Sequence, residues 1–300
     1  MSVLIRPKRW SDQKPPVAIV NRNHPLALGL ANALLLSELG GLAPYDSMQN
    51  KAATMTYGPG NPAWGPEGLT FHGLASGTVP EQVNSDPGLG QSSVGTGPMT
   101  MLACVKIGAN ATGAVIGLEN GDVATNPSAN VRGVQLGIGA ATGFSPNTNT
   151  GTFLTSLNED VAWQLPGSAI SLPVGQWTQI ALVFPGFSAT ASFYVNGLLK
   201  GTTNFGGPAA GEGTPMRFMV GGYFVANGSS SRVFVGQIKY AYRWNRILSP
   251  GEMLALAVEP YAFFEPQNQT PPVPFVAAPA GGSGLWLSKS RRSNVTRKVA

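Results

Sequence analysis

The sequence is poor in the side chains on which most catalysis depends. Among its 300 residues are one cysteine and two histidines. Cys104, inside the apolar run 99–107, excludes an intrachain disulfide and a thiolate metal centre, and it reads as a buried, inert thiol. With only His24 and His72, and no serine framed as Gly-x-Ser-x-Gly, a histidine-dependent nucleophilic triad has little to build from. His24 precedes Pro25 and reads as the cap of a turn, and His72 as a strand-end side chain. There is no zinc-type His/Cys spacing and no glycine-rich phosphate loop with lysine. Charge is scarce too, at 11% of residues. No apolar run reaches the roughly 18 residues of a membrane span, and residues 1–10 lack the apolar centre of a signal peptide. These absences lead us to expect a soluble protein made in a reducing cytoplasm.

What is present is apolar residues, glycine and proline. Apolar side chains make up 43% of the chain, enough for a sizeable core, and 39 glycines and 25 prolines suit many short strands joined by turns rather than long helices. Short apolar or alternating runs predict strands at 99–107, 114–118, 131–138, 151–157, 177–184, 191–195, 216–221 and 233–244. The run 179–184 is almost continuously apolar, as in a central strand covered on both faces. Asn196-Gly197 between two such runs is a strong hairpin signal, because both residues tolerate positive φ. The segment 26–36 is apolar enough for a helix, but Gly29 and Gly40-Gly41 favour a strand in its second half. Ser249, Pro250 and Glu252 together carry the signature of a capped helix start. Beyond Pro260 the composition turns to that of a Pro- and Gly-rich linker.

The net charge of +5 is unevenly spread. Residues 1–22 hold Arg6, Lys8, Arg9, Lys14 and Arg22 against Asp12, a net +4, and residues 286–300 hold Lys289, Arg291, Arg292, Arg297 and Lys298 with no acid, a net +5. The body between them is left with −4. The chain therefore divides into a basic arm over 1–22, a body over 23–262, and a linker with a second basic arm over 263–300.

Gly175-Gln-Trp-Thr-Gln-Ile-Ala-Leu-Val183, Phe193-Tyr-Val-Asn-Gly197 and the stretch 236–252 ending in Ser-Pro-Gly-Glu resemble the laminin-G-like, concanavalin A-like lectin/glucanase superfamily over about residues 24–260. The resemblance implies an all-β, two-sheet antiparallel jelly-roll sandwich with one short C-terminal helix, here between extended basic arms. The opening 9–30 and Glu259-Pro-Tyr-Ala-Phe-Phe264 look like the version found in tailed-bacteriophage virion proteins. That narrower likeness implies a structural or adhesive role.

The acidic residues do not support hydrolysis. The glucanase branch of the superfamily carries Glu-x-Asp-x-x-Glu on one strand, with alternate residues sharing a face, and this sequence has no such pattern. Glu119 and Asp122 are wrongly spaced and read as a hairpin tip. Laminin-G-like domains often bind calcium, which raises Asp46 and Asp122 as ligand candidates, but no cofactor is required. Trp64, Trp163 and Tyr223 fall in loop-like segments where they could form a glycan platform, while Trp177 and Trp244 lie inside strand patterns and read as core. In the arms, Arg6, Lys8, Arg9, Trp10, Trp286, Lys289, Arg291, Arg292, Arg297 and Lys298 combine charge with aromatic anchors. That mixture favours docking onto partner proteins over a solvated tail, and disfavours nucleic acid.

The expectation is a non-enzymatic virion structural protein, a capsid decoration or head-surface component assembled in the host cytoplasm. Its arms would hold it to the major capsid protein or to neighbouring subunits, and it would self-associate. The alternative is a glycan-binding adhesin of a tail or fibre recognising a host glycan, with a glycoside hydrolase third.

Overall fold

A computed structural model describes residues 19–36, 44–56, 62–72, 82–85, 97–108, 113–119, 133–139, 152–154, 170–186, 189–204, 217–222 and 234–265. They form two sheets in which every strand pairing is antiparallel. The larger sheet runs in the order β14 (Leu198–Asn204), β13 (Thr190–Val195), β12 (Trp177–Phe184), β8 (Met99–Ile107), β16 (Val235–Trp244), β1 (Leu30–Leu35), β2 (Tyr45–Asp46) and β3 (Lys51–Ala52). The first half of β16 pairs instead with β6 (Leu69–His72), which pairs with β5 (Ala63–Trp64). The smaller sheet runs β11 (Thr152–Leu154), β10 (Gly133–Gly139), β9 (Gly113–Glu119), β15 (Arg217–Val220), β7 (Gln82–Ser85) and β4 (Thr54–Thr56). This is the expected all-β sandwich.

The strand patterns follow from what covers each face. Between the sheets lies one apolar cluster, with Leu34, Val105, Ile180, Leu182 and Phe193 from the larger sheet and Ile116, Leu136, Phe218 and Val220 from the smaller. A second cluster lies on the outer face of the larger sheet, where the helix α1 (Pro250–Val258) and the segment 261–264 cover Leu102, Cys104, Ala181, Val183 and Tyr194. β8 and β12 are therefore buried on both faces. Their almost unbroken apolar sequence is the result, since neither face can carry the polar residues that alternate in a half-exposed strand.

The outer layer is held by aromatics. Tyr240, Tyr242 and Trp244 alternate along β16 and share one face, and Tyr261, Phe263 and Phe264 lie across them. Ring centroids are 4.9 Å apart for Tyr240 and Tyr242, 5.1 Å for Tyr242 and Phe263, and 4.7 Å for Phe263 and Phe264. The buried indole of Trp244 donates through Nε1 to the Leu26 carbonyl at 2.7 Å, satisfying its one polar atom.

Local signals read from sequence recur as local geometry. Asn196 and Gly197 both take positive φ at the β13–β14 hairpin. Ser249 and Glu252 form a reciprocal capping box with Pro250 in the first turn of α1. His24 Nδ1 accepts the Leu26 amide at 3.2 Å and caps a single 3-10 turn over Pro25–Ala27, after which β1 begins at Leu30. Cys104 is buried, and burial pushes its thiol up to about 11. The strand end read at His72 is that of β6, while the other five short strands from β2 to β7 had no expectation in the sequence, because two to four residues are too few for alternation to register.

Candidate functional site

The sequence-based site residues are scattered. The arm residues Arg6, Lys8, Arg9, Trp10, Trp286, Lys289, Arg291, Arg292, Arg297 and Lys298 lie outside the described residues, as do Trp163, Tyr223 and Asp122. Trp64 is half-buried on β5 and packs against the core between the sheets, so its side chain serves packing. His72 ends β6 with an exposed side chain.

Asp46 is a buried structural acid. Its Oδ1 accepts the backbone amides of Ala33, Met48 and Gln49 at 3.1, 3.0 and 3.2 Å, and its Oδ2 accepts from Asn32 Nδ2 at 2.8 Å and Ser85 Oγ at 2.6 Å. Five donors fill both oxygens, which leaves this carboxylate no capacity for calcium. Among the described residues no group of three or more His, Cys, Asp or Glu side chains could hold a metal.

Asp46 belongs to a network that ties the sheets together. Arg243, fully buried on β16, donates from Nε to Asn32 Oδ1 at 2.9 Å and from a terminal nitrogen to Asn245 Oδ1 at 2.6 Å. Its guanidinium lies over the Phe218 ring of the smaller sheet, 5.9 Å from the centroid. Desolvation lowers the Arg243 pKa to about 10, opposed by the Asp46 charge, so the side chain remains cationic at neutral pH. A charge retained here fixes how β1, β2 and β16 sit against β7 and β15.

The solvent-facing chemistry gathers elsewhere, on the outer face of the larger sheet beside the aromatic layer. Trp177 on β12 pairs in register with Lys106 on β8, Lys106 with Gln237 on β16, and Gln237 with Thr70 on β6. Each shares a face with outer-layer residues or alternates with core residues, so the four side chains form a row across four strands. Trp177 is only half-buried, correcting the expectation of a core residue. Its Nε1 donates to Glu67 Oε2 at 3.2 Å, and Lys106 Nζ lies 3.3 Å from the same oxygen. The indole hydrogen bond first, and Lys106 second, hold the Glu67 carboxyl below its ordinary pKa.

A bulge completes the row. Ile238 pairs with Val105 while Tyr240 pairs with Cys104, so Lys239 is the extra residue on β16. A bulge re-aims its side chain, and Lys239 Nζ lies 5.6 Å from the Trp177 ring centroid, with Lys106 Nζ at 5.8 Å. Gly68 brings the loop before β6 against this ring, where a Cβ would meet Ile238 O at 2.7 Å and Trp177 Cη2 at 2.9 Å. Gln237 Nε2 donates to Thr70 Oγ1 at 3.1 Å.

A further feature concerns the two ends of the body. Val20 and Phe264 form an antiparallel bridge, Asn21 donates its amide to the Phe263 carbonyl at 2.9 Å, and Glu265 donates to Ile19 at 2.7 Å. The chain enters and leaves the body at one place.

No curated protein matches the sequence. Among solved structures, the chain is similar to a Trypanosoma rangeli sialidase in complex with sialic acid, with a TM-score of 0.51 at 14% identity over 84% of this chain and 36% of that one. It thus spans about a third of the sialidase. A heptameric SAP-like pentraxin from Limulus polyphemus gives a TM-score of 0.46 at 15% identity, covering 63% of this chain and 80% of that one. Domain 4 of an extracellular arabinanase from Geobacillus stearothermophilus, in complex with arabinotriose, gives 0.47 at 18% identity, covering 76% and 98%. At such identities the sialidase likeness speaks to fold alone. The family profile of the concanavalin A-like lectin/glucanases matches residues 83–253, from β7 into α1, and the chain belongs to that superfamily.

Proposed function

We propose that the chain is a non-enzymatic virion structural protein, a capsid decoration or head-surface component anchored by its two basic arms. The observation that carries this reading is the hydrogen-bonded pairing of Ile19 with Glu265, which roots both arms at one point of the body. Two segments rooted together act as one bivalent anchor, because docking of either raises the effective concentration of the other at the partner surface. The acids with known partners support a non-catalytic body: Asp46 and Glu252 are consumed by folding contacts, and Glu67 is held by Trp177 and Lys106. Leu198 and Leu199, each 54% exposed on edge strand β14, support the self-association that accompanies this reading.

The test is particle assembly with chains lacking residues 1–18 or 266–300. Each truncation is expected to leave a folded body that no longer enters particles. Undiminished incorporation of both would remove the proposal.

The second reading, a glycan-binding adhesin, is favoured by the half-buried Trp177 amid hydrogen-bonding side chains on the outer face of the larger sheet. Binding of the intact protein to immobilised glycans, lost on changing Trp177, is its test.

A further inference from the structure

Folding does not account for the row Trp177–Lys106–Gln237–Thr70 with Glu67 and Lys239. Trp177 packs in part against the outer cluster, but the two lysines beside it add little to stability, since cation–π contacts at exposed sites contribute about 0.5–1 kcal/mol. The exposed Lys106–Glu67 pair belongs to a class of small contributors. The charge is unbalanced as well. Glu67 is shared by Lys106 and the indole and also feels the charge of Lys239, which the β16 bulge delivers, so among the described residues two ammonium groups face one carboxylate.

The geometry narrows the ligand. At about 4.8 Å between neighbouring strands, the row from Trp177 to Thr70 spans about 14 Å. The strands beneath it are already paired on both sides from β8 to β16, so an extended peptide cannot add as a further strand there. What remains is a line of side-chain groups: an indole flanked by two ammonium groups for a sugar ring, the Gln237 carbonyl oxygen as acceptor, the Thr70 hydroxyl as donor, and one positive charge in excess of Glu67 for an anion. From this placement we infer that the row binds a short acidic saccharide, with a sugar ring against Trp177 and its carboxylate on Lys239. The inference rests on the glycan-binding reading above and adds the ligand's charge and place.

The test titrates the full-length protein with a uronic-acid trisaccharide, with the same trisaccharide reduced to its neutral form, and with a glutamate tripeptide. Tryptophan fluorescence and calorimetry follow binding at about 0.15 M salt, where a Debye length of about 8 Å screens loose attraction to the arms. The uronate is expected to bind at least about tenfold more tightly than either comparison, a margin of about 1.4 kcal/mol. Lys239→Ala and Trp177→Phe should each weaken it by about tenfold or more, with the melting temperature of Lys239→Ala unchanged. Equal binding of charged and neutral trisaccharides would overturn the inference and leave glycan binding standing. Silence from both sugars would remove the two together. Tripeptide binding as tight as the uronate's, or uronate binding insensitive to both substitutions, would also overturn it, because attraction would then reside in bare charge or in the arms.

Discussion

Asp46 and Arg243 are two of the body's few charged side chains, and both are spent inside it. The two are linked through Asn32, whose Oδ1 accepts from Arg243 and whose Nδ2 donates to Asp46. Asp46→Asn should destabilise the protein by about 1–3 kcal/mol in urea unfolding, the range for leaving a buried donor unsatisfied, because one amide oxygen cannot serve the five donors that now fill the carboxylate. A loss below about 1 kcal/mol would mean that the Asn32 and Ser85 contacts, which the amide can partly keep, carry the network instead. Cys104 gives a second residue-scale expectation. With its thiol buried and raised to about 11, it should resist alkylation in the folded protein at pH 8 and react fully in denaturant. Fast labelling of the native state would contradict the packing of Tyr240 and Tyr261 around this thiol. The candidate site shows what residue identity leaves unsaid: Trp177 sits in a strand pattern as Trp244 does, yet one is half-exposed and the other buried. The difference lies in whether α1 and the segment 261–264 reach far enough along the outer face to cover it.

At the scale of elements, the legible parts were those whose cause is local. Asn196-Gly197 specifies its hairpin through φ, and Ser249 with Glu252 specifies the start of α1 through caps, so both were readable. The Lys239 bulge, the four-strand register and the Arg243 network depend on pairings between residues up to 211 apart, which no window of sequence displays. Gly197 links the local to the distant. Its φ is +75°, and an added Cβ would lie 2.8 Å from both Ala257 Cβ and Leu254 Cα of the helix. Gly197→Ala should cost more than the roughly 1 kcal/mol of ordinary positive-φ strain, because the hairpin must also lift from α1. Asn196→Gly should cost about 1 kcal/mol by thermal unfolding, because glycine keeps the positive φ but loses the Oδ1 that accepts the Gln179 amide at 2.9 Å. Glu252 gives α1 a pH signature. Its carboxyl is lowered from 4.5 to about 2, chiefly by Arg246, at 2.6 Å, and by the Ser249 cap. A lowered folded-state pKa contributes stability that is present above pH 4.5 and lost as pH falls towards 2. Glu252→Gln should therefore be less stable than the parent by about 1 kcal/mol at pH 7, with the gap closing between pH 4.5 and 2. A constant gap across that range would assign the effect to packing rather than charge.

At the scale of the molecule, the outer aromatic layer decides where the body ends. Composition placed the boundaries near 23 and 262, where basic and Pro-rich character begins. The structure continues the packed body to Val20 on one side and to Phe263 and Phe264 on the other, all three buried against β16. These residues close the larger sheet's outer face and also hold the two ends together through the Val20–Phe264 bridge. A chain of residues 19–265 should therefore unfold in urea within about 1 kcal/mol of the full-length protein, because it keeps every described contact. A chain of 23–262 loses two buried phenylalanines, and each large-to-small truncation of that kind costs about 3–5 kcal/mol. Two such losses approach the whole stability of an ordinary domain, so the shorter chain should aggregate or fail to fold. Size-exclusion chromatography and urea titration of the two chains separate the outcomes. If 23–262 proved as stable as 19–265, the aromatic layer would be dispensable and the common root of the arms would lose its structural basis. If the longer piece alone folds, the arms can be removed without disturbing the body, and a failure of the armless chain to enter particles then reports on anchoring itself.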